Sequence, residues 1–144
     1  VSGGGARTAQ DGSAAFSASY PARAESVAKA RAAVSAFASR SGAPPATIEA
    51  VRLAVSEAAT NVVVHAYRDL ATPGVIDVAA AQAGGELWVI VADNGSGLHP
   101  RVDSPGLGLG LGLIAQVSDG LDLVHRAAGG LELRMRFLLA AGQS

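Results

Sequence analysis

The stretch from Ile48 to Tyr67 constrains the fold more than any other part of the chain. Its apolar residues Ile48, Val51, Val55, Ala58 and Val62 recur at steps of three and four, the stripe that a helix lays against a core. Glu57, Asn61 and His65 stand four apart, so a carboxylate, a carboxamide and an imidazole stack one turn apart along a neighbouring stripe. Such a wall has two readings. It is a half-buried polar face satisfied locally, or it is one side of a binding site.

The bulk numbers narrow the choice. At 144 residues the chain is long enough for one domain with a true core. Hydrophobic residues make up 49% but aromatics only 4%, so the core is expected from alanine-rich helices lying close against a sheet. The formal net charge is -1 and no dense Lys/Arg run occurs, which argues against direct binding of nucleic acid. Without cysteine there is neither a disulfide framework nor a thiolate metal site. No apolar run approaches the ~18 residues of a membrane span. The N-terminus lacks the apolar segment of a secretory signal, so the expected location is cytoplasmic, with no membrane partner.

In chain order, residues 1–14 are rich in Gly, Ser and Ala and read as a flexible tail, with one domain over 15–141. Alternation predicts a strand at Phe16–Tyr20, and Pro21 suits the first turn of a helix over Ala22–Ser39. The apolar face of that helix is Val27, Ala30, Val34, Phe37 and Ala38; Arg23, Lys29, Arg31 and Arg40 read as its solvated side. Gly42 and Pro44-Pro45 break the helix, and Thr47 is the expected N-cap of the central one, which should end near Tyr67. A hairpin follows, Val75–Ala81 and Glu86–Ala92 around Gly84-Gly85, its second strand apolar enough to be central. A helix in the second half of Gly106–Asp119 and a last hairpin, Leu121–His125 with Leu131–Leu139, complete the order. The expected class is α+β: a two-layer sandwich with helices on one face of a mixed, mainly antiparallel sheet.

Two glycine-rich stretches carry the chemistry. The central strand runs directly into Asp93-Asn-Gly95-Ser-Gly97. A carboxylate at the end of a buried strand needs donors, which local backbone N–H groups or the amino group of an adenine could supply. Glycines beside it let a flat base approach the backbone. Further on, Gly106, Gly108, Gly110 and Gly112 precede a helix, and their N–H groups could cradle phosphates; close packing or a hinge would use glycine equally well. The strand–turn–helix context of a dinucleotide-binding fold is missing, as is the lysine of a P-loop. Asn61 could offer an amide oxygen to Mg²⁺, and Glu57 could act as a general base. His65 reads as structural.

These pieces resemble the GHKL ATPase superfamily of gyrase, heat-shock chaperones, sensor histidine kinases and mismatch-repair proteins. Within it the sequence is most similar to the small anti-sigma-factor serine/threonine kinases of the RsbW type. Glu57-Ala-Ala-Thr-Asn61-Val-Val-Val-His65-Ala-Tyr67 matches their E-A-x-x-N-x-x-x-H-A-Y helix. Asp93-Asn-Gly95-Ser-Gly97 matches the first glycine box, and Gly108-Leu-Gly110-Leu-Gly112-Leu-Ile114 the second. The resemblance implies the Bergerat ATP-binding fold, with ATP and Mg²⁺ as ligands. It implies Glu57 as general base, Asn61 on Mg²⁺, Asp93 on the adenine amino group, Gly97 against the base, and Gly108 and Gly110 around the phosphates. It implies phosphoryl transfer to a STAS-type anti-anti-sigma protein, sequestration of a sigma factor, and dimerisation near the first strand and helix. Three departures stand out: only ten residues, Leu98 to Leu107, separate the glycine boxes; Leu109 replaces a frequent arginine; Leu131 replaces a frequent threonine. They keep open an alternative, a sigma-factor or partner-binding regulatory module with weak or no ATP turnover.

Overall fold

The computed structural model describes residues 5–8, 14–66, 74–94, 111–127 and 129–139. Six strands, β1 (Gly5–Thr8), β2 (Ala14–Pro21), β3 (Val75–Ala83), β4 (Glu86–Asp93), β5 (Gly120–His125) and β6 (Leu131–Leu138), form one sheet in the order β1-β2-β3-β4-β6-β5. Three helices, α1 (Ala24–Arg40), α2 (Pro45–Ala66) and α3 (Leu111–Val117), complete the described structure.

Alternation along the strands gives the sheet two unlike faces. Ile76, Val78 and Ala80 of β3, Leu87, Val89 and Val91 of β4, and Leu133, Met135 and Phe137 of β6 are buried under the helices. The residues between them, such as Ala79, Trp88, Ile90, Arg134 and Arg136, lie on the helix-free face. Ala30, Val34, Phe37 and Ala38 of α1 meet Val51, Ala54, Val55, Ala58 and Val62 of α2 in the same core. The many alanines let the two helices lie close together and near the sheet. This is the α+β sandwich expected, except that every pairing among the described strands is antiparallel rather than mixed.

Several element ends differ from expectation, each for a local reason. Pro21 does not start α1; it ends β2, paired with Val75, and Ala22 N–H still donates to Gly74 O at 2.9 Å. A strand terminus tolerates the missing N–H of proline. Arg23, extended at φ -130° and ψ 159°, is the N-cap instead. Thr47 lies inside α2 because Pro45, with its preset φ, takes the first helical position, and the Pro44 carbonyl accepts the first helical bond from Ile48 N–H at 3.0 Å. At the end of α1, Gly42 adopts φ +88°, Ala43 N–H donates to Ala38 O, and Gly42 N–H donates to Ser39 O, a Schellman motif that only glycine enters freely. β1 falls inside the segment read as a flexible tail: its backbone pairs with the open edge of β2, which needs no apolar pattern. Tyr67 lies outside the described residues.

Phe37 is the largest anchor between α1 and the sheet. It is 2% exposed, its ring centroid stands 6.1 Å from that of Phe16 on β2, and the Arg40 guanidinium lies 6.0 Å above it. Phe37→Ala should cost about 3–5 kcal/mol in urea unfolding, because a closely packed alanine-rich interface cannot collapse into the void. Arg40→Gln, which removes only an exposed cation–π contact, should cost less than about 1 kcal/mol. Equal losses for the two variants would contradict this packing.

Candidate functional site

An apolar layer between helices and sheet should contain few polar side chains, so those it does contain are informative. Among the described residues four polar side chains are buried: Ser26, Ser35, Asn61 and Asp93. Ser35 Oγ donates to the carbonyl of Arg31 one turn back, which accounts for it locally. Asn61 and Asp93, 5% and 2% exposed, belong to the two motifs singled out in the sequence. Asp93 is the one buried ionisable group among the described residues.

The fold explains both positions. Asn61 stands on α2 beside the buried Ala58 and Val62, one turn beyond the half-buried Glu57. Asp93 is the last residue of β4, opposite Ile76 of β3, and by alternation continues the helix-facing row of Leu87, Val89 and Val91. α2 packs directly on β4, so both side chains lie in the same interlayer space. α3 packs against α2 through the buried Ile114. Gly112 in its first turn is exposed, and a Cβ there would meet nothing within 4 Å among the described residues, so packing does not call for glycine at this position. The other glycines singled out, Gly95, Gly97, Gly106, Gly108 and Gly110, lie outside the described residues, as does the side chain of His65. Leu131, where the resemblance expects threonine, opens β6 and is buried in the core at 3% exposure.

Residues 20–137 match the model of the histidine kinase-like ATPase domain. The chain is also 34% identical over 120 residues to the serine-protein kinase RsbW of Bacillus cereus, covering 73% of this chain and 74% of the relative. The same protein of Bacillus anthracis matches equally at 34%, and that of Bacillus thuringiensis at 33%. This chain belongs to the histidine kinase-like ATPase family. Within that family its similarity is to RsbW-like kinases, and the α+β sandwich is the GHKL fold. No helix among the described residues is long and apolar enough to cross a membrane.

No group of three or more His, Cys, Asp or Glu side chains that could hold a metal occurs among the described residues of this ATPase-family domain. Mg²⁺ in nucleotide sites takes hard oxygen ligands, with substrate phosphates and water beside few protein oxygens, and the buried Asn61 amide has donor chemistry that fits such a ligand. On the opposite, helix-free face a depression of about 440 Å³ is lined by Ser17, Ser19, Asp77, Ile90, Arg126 and Glu132. Sequence reading did not single out Asp77 or Arg126. The available signal was an aspartate interrupting the apolar strand Val75-Ile-Asp-Val. Arg31, read as part of a solvated face, is half-buried and donates to Ser56 Oγ at 3.1 Å, tying α1 to α2 next to Glu57.

Proposed function

We propose that this chain is an ATP-binding protein serine/threonine kinase that phosphorylates a STAS-type anti-anti-sigma protein and also sequesters a sigma factor. The observation that carries the reading is the burial of Asn61 and Asp93, two polar side chains in a largely apolar layer. Both lie within the stretch that matches the family model and belong to the motifs on which the sequence resemblance rests. A buried carboxylate is costly and is retained where a ligand or the protein supplies donors.

In this reading Asp93 accepts a hydrogen bond from the adenine amino group. Gly95 and Gly97 let the base approach, and Gly106, Gly108, Gly110 and Gly112 give the phosphates backbone N–H donors. Asn61 would hold Mg²⁺, which supplies neutralisation of phosphate charge. The hydroxyl oxygen of the partner's serine or threonine bonds to the γ-phosphorus. The bond from that phosphorus to the bridging oxygen breaks, ADP leaves with the electron pair, and Glu57 takes the hydroxyl proton. Most of the acceleration comes from holding the two reactants in line.

A second reading is favoured by one observation. Leu131 puts an apolar side chain into the core where the related kinases often carry a threonine, which suits a partner-binding module with weak or no ATP turnover. Incubation with γ-labelled ATP, Mg²⁺ and a STAS-domain protein separates the two. Label on a serine or threonine of the STAS protein supports the kinase. A stable complex without label supports the binding module.

A further inference from the structure

The guanidinium of Arg126 joins three strands on the helix-free face. Its Nη1 donates to Asp77 Oδ2 on β3 at 3.0 Å and to the backbone carbonyl of Asp93 on β4 at 2.7 Å. Its Nε lies 3.8 Å from Glu132 Oε1 on β6. β2 is added through Ser19 Oγ, which donates to Asp77 Oδ1 at 2.7 Å. Arg126 starts from a fixed point: its N–H donates to Gly130 O at 2.9 Å and its carbonyl accepts from Gly129 N–H at 3.0 Å. Gly129 and Gly130 make that turn possible at φ +104° and +100°.

The carbonyl that Arg126 grips belongs to the residue whose carboxylate is buried on the other face of the sheet. It also belongs to the Asp93–Asn94 peptide, where the ladder of β4 ends and the first glycine box begins. Asn94 Oδ1 accepts from Val75 N–H at 3.3 Å, so the peptide is held from both sides. Displacement of this peptide, at the end of β4, would shift the Cα of Asp93 and with it the carboxylate. A charge-assisted bond to a carbonyl, from a side chain only 32% exposed, opposes that displacement.

We propose that Arg126 is a positioning residue for nucleotide recognition: by holding the Asp93–Asn94 peptide it aims the Asp93 carboxylate at the adenine amino group. The proposal rests on the reading of Asp93 as the adenine acceptor. It gives a residue on the helix-free face control over affinity for a ligand bound among the helices.

The test is calorimetric titration of ATP, ADP and GTP into the unmodified protein and the Arg126→Gln, Arg126→Lys and Arg134→Gln variants. Arg134 bonds Glu132 on the same face and has no bond to Asp93, so it controls for lost surface charge. Arg126→Gln should raise the Kd of ATP and ADP about tenfold and shrink the preference for ATP over GTP, with Lys restoring part of both. In the nucleotide-free proteins the ¹⁵N and amide-proton shifts of Asn94 should move in Arg126→Gln and stay in place in Arg134→Gln. Unchanged affinity and preference in Arg126→Gln, or an equal loss in Arg134→Gln, overturns the proposal. If Arg126→Gln does not fold, the Lys variant decides: nucleotide affinities and an Asn94 shift identical to the unmodified protein count against it, and changes in both count for it. An unmodified protein with no preference for ATP overturns the adenine reading of Asp93 itself, and the proposal with it.

Discussion

Glu57→Ala should leave ATP affinity close to that of the unmodified protein and reduce phosphoryl transfer by about 10²–10⁴-fold, the usual contribution of a positioned general base. The half-buried Glu57 lies one turn before the buried Asn61, on the helix that packs against β4. Removal of its carboxylate takes away a proton acceptor without touching the groups assigned to base or phosphates. Glu57→Gln keeps the shape and should lose nearly as much. Binding is read by titration and transfer by label on the STAS-type protein. An unchanged transfer rate in both variants would remove Glu57 from the mechanism, whereas lost binding would make it a structural part of the site.

Asp93→Ala should instead weaken ATP binding by about 5- to 150-fold, and reduce transfer at limiting ATP with it. At 2% exposure the carboxylate has no bulk water to replace it, so a nucleotide amino group meeting alanine is left unpaired at a cost of about 1–3 kcal/mol. The same logic predicts discrimination in the unmodified protein. Guanine presents an acceptor where adenine presents a donor, and a carboxylate facing it repels rather than bonds. GTP should bind more weakly than ATP by a similar ~1–3 kcal/mol, or about 5- to 150-fold. Equal affinities would refute the adenine assignment. Retained sheet structure by circular dichroism separates weakened binding from lost folding.

Periodicity made most of the fold readable, because burial imposes a repeat of two on strands and 3.6 on helices. The α2 stripe through Val51, Val55, Ala58 and Val62 is buried as its spacing required. The Gly84-Gly85 hairpin joins β3 and β4, and β4 lies inside the sheet between β3 and β6. Termini were harder, since a proline beside a helix can end a strand, as Pro21 does, or open a helix, as Pro45 does. β1 was unreadable because edge pairing uses backbone groups that every residue carries. Of the site, Asn61 and Asp93 were legible through their motifs, and both are buried. The Arg126–Asp77–Ser19 network was not legible, because it joins residues from three distant parts of the chain that only the strand order brings together.

The most direct test of the nucleotide site is titration of the purified protein with ATP, with and without Mg²⁺, beside Asn61→Ala and Asp93→Ala. The account predicts saturable binding that Mg²⁺ strengthens, that Asn61→Ala makes insensitive to Mg²⁺, and that Asp93→Ala weakens by about 5- to 150-fold. Absence of binding at millimolar ATP, or binding untouched by both substitutions, would contradict it.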